Sequence, residues 1–468
     1  MAKSADKTEV FETLPVKKAI LAMAIPSIIS QLINLIYNLA DAFYIGRTGN
    51  PDMVAGVSVA STLFIMTVCI CNLFGMGGGS LMARLIGRRS EEEARRVCAY
   101  SLMGAVAVAL GYSLLLGLIM KPLLMLMGAS EVTYVYARHY LLPVVVIGGL
   151  PTILGTVASH LLRNVGYAKK ASLGLSAGGV LNILLDPLFM FVIMPDGKEV
   201  LGAGLATLIS NTASCIFLCV LLVKASAKAP LSASPKDAVR MTKESRRELY
   251  GTGIPTFMLT FLFDMANIVL NALMSGHGDL SVAALGIVMK VERIPNALNL
   301  GLCQGMMPIV AYNFASGNRA RMEKIVKTAR KMGLLVSAAA IALLFSLAKP
   351  AVRLFMGTGK AQADAAAETV RLAMLFLRIR CFASPFQFLN YHSSFSMQAM
   401  GFGKGTLLHA IGRELVFYIP FMFLLNALFG STGLVTALIV GEGCGALLAL
   451  WLYKRGLKEK DSAVQAAR

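Results

Sequence analysis

The 468-residue chain carries a formal net charge of +19, yet only 15% of its residues are charged and 56% are hydrophobic. Soluble domains hold roughly 25% charged residues, so this composition excludes an ordinary soluble protein and predicts an all-α membrane protein. The basic excess does not indicate nucleic acid, because the Lys and Arg gather in alternate loops, as a membrane topology requires.

Met1 to Leu14 is polar and mixed in charge, without the apolar stretch of a signal peptide, so no cleavable leader is expected. Twelve apolar runs follow, near 18–45, 54–86, 97–119, 134–161, 171–194, 202–223, 248–275, 281–310, 328–348, 366–392, 405–428 and 433–453. Each is long enough to cross a bilayer, and the longest are expected to tilt.

A charge within hydrocarbon is costly and marks a candidate functional residue. The first run contains Tyr37, Asn38 and Asp41. The second contains Cys69 and Cys71, which face different directions, and ends near Gly75-Met76-Gly77-Gly78-Gly79-Ser80. That glycine run lacks the Lys-Ser/Thr ending of a phosphate loop and suits close helix approach instead. In the fifth run Asn182 and Asp186 are four apart and share a helix face, followed by Pro187, which can free a backbone carbonyl. The sixth begins with Gly204-Leu205-Ala206-Thr207, whose hydroxyl is available to the same site. Asp41, Asn182, Asp186 and Thr207 could together hold Na⁺. Alternatively, crowding and burial could keep a proton on one carboxylate. A plainer alternative leaves the two aspartates solvated at an aqueous mouth.

The polar stretch 225–247 reads as a linker. Beyond it, Asp264 lies in the seventh run, Lys290, Glu292 and Arg293 in the eighth, and Arg378 and Arg380 in the tenth. These could line a wet substrate cavity or pair internally as structural ion pairs. The eight cysteines show no CxxC, and the five histidines show no ligand spacing. Neither a resident metal nor a cofactor is expected, and no nucleophile motif suggests an enzyme. The 26 methionines suit an adaptable apolar surface, or equally an ordinary membrane core.

Charge tests the count of spans. Lys and Arg concentrate in the N-terminal segment, around Arg84–Arg96, at Arg163–Lys170, through 224–247, at Arg319–Lys331, at Lys404 and from Lys454 onward. The intervening connections hold only Arg47, Lys121, Lys198, Lys349, Arg353 and Lys360. This positive-inside pattern predicts both termini in the cytoplasm of a bacterial inner membrane. The chain also resembles itself at an offset of about 229 residues: Pro26 with Pro255, Asn38 with Asn267, Gly49 with Gly278, Gly87 with Gly317, and Asn164–Tyr167 with Ala399–Phe402. Six spans per half make these parallel repeats, with lobes at 1–224 and 248–468 related by a pseudo-two-fold axis along the membrane normal.

The stretches NLIYNLADAFYIG from Asn34, NLFGMGGGSLMARLIGRRS from Asn72, NILLDPLFMF at 182–191, GAGLATLIS at 202–210 and GLCQGMMPIVAYNFASGNRARM at 301–322 resemble the MATE (multidrug and toxic compound extrusion) family, in its MepA-like branch. The resemblance covers nearly the whole chain. It implies two six-helix lobes around a V-shaped cavity, alternating access, and export of cationic or amphiphilic drugs by antiport with Na⁺ or H⁺. It also implies a cation site on Asp41, Asn182 and Asp186, with Thr207 following less directly because 195–200 has the look of an insertion. The chain departs from the family pattern at GGGSLMAR, and more markedly at KVERIP, 290–295, where uncharged polar residues are expected. A monomer acting on small molecules in the lipid bilayer is expected. Other readings are a lipid-linked precursor flippase of the same superfamily, which would want a strongly basic cavity, a non-transporting membrane protein, and a channel, for which no repeated filter is present.

Overall fold

A computed structural model describes residues 7–355 and 363–466, and among these there are helices and turns but no strand. The membrane-length segments are α1 (Val16–Arg47), α2 (Pro51–Gly87), α3 (Glu91–Leu126), α4 (Glu131–Ile147 continued by Gly149–Asn164), α5 (Ala168–Ile193), α6 (Glu199–Ala225), α7 (Lys243–Ser275), α8 (Asp279–Ala315), α9 (Arg319–Ser346) and α10 (Ala367–Ala399). A last helical stretch, Gly403–Glu459, would measure about 85 Å if straight, far beyond a bilayer about 30 Å thick. It breaks at Gly430, whose φ of 60° and ψ of −143° are open to glycine alone, and so divides into α11 (403–429) and α12 (431–466).

Among the described residues, nine helices are long and apolar enough to cross a membrane, or ten with the two parts of α4 joined at their 51° bend. This falls short of the predicted twelve, and two places bear on the difference. The Gly430 break splits one helix into two, and α8 has the length of a span but carries Lys290, Glu292 and Arg293 near its middle.

Local chemistry places the boundaries. Asn50 caps α2 through Asp52 N–H at 2.9 Å with Pro51 behind it, and Thr242 caps α7 by accepting from Ser245 N–H at 3.2 Å. Gly49 and Gly278, and likewise Gly166 and Gly401, end corresponding helices with positive φ. The predicted match of Gly87 with Gly317 needs correction. Gly317, with φ of 81°, ends α8, and the residue in that position after α2 is Arg89, with φ of 61°. Gly87 instead packs so closely on the Tyr312 carbonyl of α8 that a Cβ would come within 2.5 Å of it.

The halves meet mainly where α1 packs on α8 and α2 packs on α7, and α2 also packs on α8. The glycine run in α2 serves these contacts as expected. A Cβ on Gly77 would stand 2.8 Å from Gly253 Cα in α7, and one on Gly75 would stand 2.8 Å from the His160 ring in α4. At the end rich in basic residues, the buried Arg84 donates to the Gln398 carbonyl at 3.1 Å and pairs with Glu248 at 3.3 Å, and Ser80 Oγ donates to the same carbonyl at 2.7 Å. The stretch 225–247 is no loose tether: Leu231 and Met241 are buried in the first half's core, and the short helix Pro235–Val239 packs on α3. Outward, Leu110, Leu114 and Leu118 form an exposed stripe of one-turn spacing on α3, which only lipid would cover favourably.

Candidate functional site

The first half brings its two buried aspartates, Asp41 and Asp186, into one cluster. Asp41 projects from α1 into a buried position, where Tyr140 of α4 donates a 3.1 Å hydrogen bond to its Oδ2. On α5 the four-residue spacing does what it predicts: Asn182 Nδ2 donates to Asp186 Oδ1 at 3.1 Å. The same amide reaches Thr207 Oγ1 of α6 at 3.2 Å, which draws Thr207 into the group. Asp41 and Asp186 lie within electrostatic range of each other and of Tyr37. Asp41, Asn182, Asp186 and Thr207 are all less than a tenth exposed.

Every partner in this cluster is neutral. Among the described residues neither aspartate forms an ion pair, and Asp41 Oδ1, Asn182 Oδ1 and Asp186 Oδ2 have no hydrogen-bond donor. Unpaired buried oxygens cost about 1–3 kcal/mol each or more, a cost that a proton or small cation placed among the three would offset. Oxygen-only donors suit Na⁺ or a proton and do not suit a softer metal. No group of three or more His, Cys, Asp or Glu that could hold a metal exists among the described residues. An ion here would therefore rest on two carboxylates and neutral oxygens.

A cavity of about 530 Å³ lies beside this cluster and between the halves. Tyr37, Asn38 and Asn182 line it from the first half, and Asp264 and Arg413 line it from the second. Asp41, Asp186 and Thr207 sit behind that lining, so Asn182 is the residue shared by cavity and carboxylates. At the basic end, Arg163 Nη1 donates to Gln304 Oε1 at 3.2 Å and Gln31 Nε2 donates to the same oxygen at 3.0 Å, closing the floor across the halves. Lys290, Glu292 and Arg293 do not border the cavity. Glu292 is gripped by Arg380 through three contacts of 2.9–3.1 Å, while Arg293 lies within electrostatic reach of Asp264.

Sequence reasoning missed Tyr140 and a second buried network. Arg413 of α11 forms a two-pronged pair with Glu442 of α12, with contacts of 3.0 and 2.6 Å. Asn390 Nδ2 donates to the same carboxylate at 2.6 Å, and His409 joins Asn390 Oδ1 at 2.9 Å to Ser394 Oγ at 2.7 Å. The signal was present, since Arg413, Glu414 and Glu442 are charges inside predicted spans, as Asp41 is.

The MatE family model matches residues 26–188 and 255–424. "Multidrug export protein MepA" of Staphylococcus saprophyticus is 29% identical over 440 residues, covering 94% of each chain. The protein of that name from Staphylococcus aureus is 29% identical over 441 residues, again covering 94% of each. Among solved structures, a MATE in complex with MaL6 superposes with a TM-score of 0.89 at 22% identity, covering 98% of this chain and 100% of that one. A MOP superfamily transporter from Pyrococcus furiosus, described as having a binding pocket of reverse polarity, gives 0.88 at 22% identity, with 98% and 99% covered.

Proposed function

The chain belongs to the MatE family, and from that premise we propose that it is a secondary active efflux transporter. It exports cationic or amphiphilic small molecules by antiport with Na⁺ or H⁺. The observation that carries this reading is the neutral-lined carboxylate cluster, with three donorless buried oxygens, directly behind a cavity between the two halves. The Staphylococcus relatives named as multidrug exporters support the substrate class.

In this reading twelve spans form two six-helix lobes, 1–224 and 248–468, joined by 225–247. Both termini face the cytoplasm of a bacterial inner membrane, the protein works as a monomer, and it performs no covalent chemistry. The basic end of the cavity is then the cytoplasmic floor, closed by Arg84, Arg163 and Gln304. An incoming cation occupies Asp41 and Asp186 from the outer side, and Asn182 reports that occupancy to the cavity wall. The ion drives export only through different affinities for the two arrangements of the lobes.

Ethidium efflux from cells expressing the wild type, Asp41→Asn and Asp186→Asn tests the site. Loss in both variants is expected, and undiminished efflux in both rejects it. Vesicles with an imposed Na⁺ or H⁺ gradient then identify the ion. The lipid-precursor flippase reading draws on Arg163 and Arg413 in the cavity lining, but Glu442 already neutralises the latter.

A further inference from the structure

The second half contains an acid that the mechanism above leaves unused. Glu414 lies on α11, next in sequence to Arg413, and is 1% exposed. Beside it runs the chain Ser394, His409, Asn390, Glu442 and Arg413, whose members bond one to the next. Asn390 spends its amide nitrogen on Glu442, so His409 Nε2 donates to Asn390 Oδ1 and Nδ1 accepts from Ser394. The Arg413 guanidinium is committed to Glu442 at 2.6 and 3.0 Å and approaches Glu414 only at 3.4 Å. Neither Oε1 nor Oε2 of Glu414 receives a hydrogen bond.

One guanidinium therefore stands between two buried carboxylates and satisfies one of them. A second charged carboxylate with no donors is among the most expensive things to bury, whereas a neutral acid in the same place is far less so. The groups within electrostatic reach of Glu414 are Arg413 and Tyr418 on its own helix, Glu442 from α12, Asp264 from α7 and Tyr391 from α10, with Arg293 of α8 in turn within reach of Asp264. That leaves an excess of acid over base around a dry position. It also ties the position to the cavity, because Asp264, Tyr391 and Arg413 all line it.

We propose that Glu414 is a second proton-carrying site, in the second half of the transporter, which gives up its proton when an organic cation binds in the cavity. The exchange balances in charge: the cation enters beside Asp264 and Arg413, and the proton leaves Glu414 for water in the cavity. Asp41 and Asp186 remain the site of the driving ion, so this inference rests on the antiport reading and extends it to the cargo side.

The test measures ethidium affinity of the purified full-length protein in detergent across neutral and alkaline pH. A proton released on binding makes ethidium bind up to about tenfold more tightly per unit rise in pH. The wild type is expected to show that slope, Asp41→Asn to keep it, and Glu414→Gln to lose it while still binding ethidium. Glu414→Asp, which restores an acid, is expected to recover the slope. The infrared band of a buried protonated carboxyl is expected in the wild type, to weaken on adding ethidium, and to be missing from Glu414→Gln. A wild-type slope in Glu414→Gln, or an infrared band unchanged by that substitution, overturns the proposal. Should Glu414→Gln not fold, the wild-type band must still fall on adding ethidium and Glu414→Asp must keep the slope. Failure of either rejects the site. Ethidium export from vesicles that proceeds without any ion gradient would refute the antiport reading instead, whatever these slopes.

Discussion

Glu414 apart, the two halves bury their acidic groups in opposite ways. In the first half Asp41 and Asp186 have neutral partners, Tyr140 and Asn182, and leave oxygens without donors. In the second half Glu292 and Glu442 are each closed by an arginine through several short contacts. A compensated carboxylate has no vacancy for a mobile ion and acts as part of a rigid wall. An uncompensated one is stable only when something positive can join it. The same residue type thus meets two environments, decided by whether the fold supplies an arginine.

That contrast can be broken most severely at the closed pairs. Arg413→Ala strands Glu442 in a dry interior, and leaving one member of a buried pair alone costs about 3–5 kcal/mol. The expected outcome is a large loss of folded protein, read by thermal unfolding of the detergent-solubilised transporter, whereas Asp41→Asn unfolds near the wild-type temperature. Equal losses in the two would abolish the distinction. Next in size is the interface between the halves: Gly77→Val places a branched side chain against Gly253, where even a Cβ is crowded. Such overpacking costs about 1–3 kcal/mol, and ethidium efflux should fall with little change in the amount of protein in the membrane. Efflux at the wild-type rate would show that α2 and α7 need not touch so closely.

Smaller effects sharpen the open site. Asn182→Ala removes the amide shared by Asp186 and Thr207. It should weaken the dependence of efflux on the ion gradient by about fivefold to tenfold, the equivalent of one ordinary hydrogen bond of about 1 kcal/mol. A gradient dependence equal to the wild type's would remove Asn182 from its role as the link to the cavity. Tyr140→Phe deletes a single donor to Asp41 and should produce the mildest change, about twofold to tenfold in the ion concentration giving half-maximal efflux. A loss as complete as that of Asp41→Asn would mean that the hydroxyl does more than orient the carboxylate.

Much of this was legible along the chain. Asn182 and Asp186 are one helical turn apart, so helix geometry alone puts them on one face. The glycines of 75–79 foretold close approach, and the small helix partner is seen at Gly253. Where the reading fell short, the reason lies in distance along the sequence. Nothing local to Tyr140 points to Asp41, 99 residues away, and nothing local to Gly87 says that it is needed for packing while Arg89 takes the turn. Charge in the middle of α8 could be assigned to a wet cavity or an ion pair with equal logic until Arg380 was found against Glu292.

Sequence by itself determined the membrane class, the alternation of basic loops, the family pattern and the residues within one helix that share a face. These follow from composition and from periods of a few residues, which a chain expresses before it folds. Only the tertiary structure decided which buried charges are neutralised and which stay open. That depends on whether a guanidinium from a distant helix arrives within about 3 Å, where electrostatic strength in a dry interior changes steeply with distance.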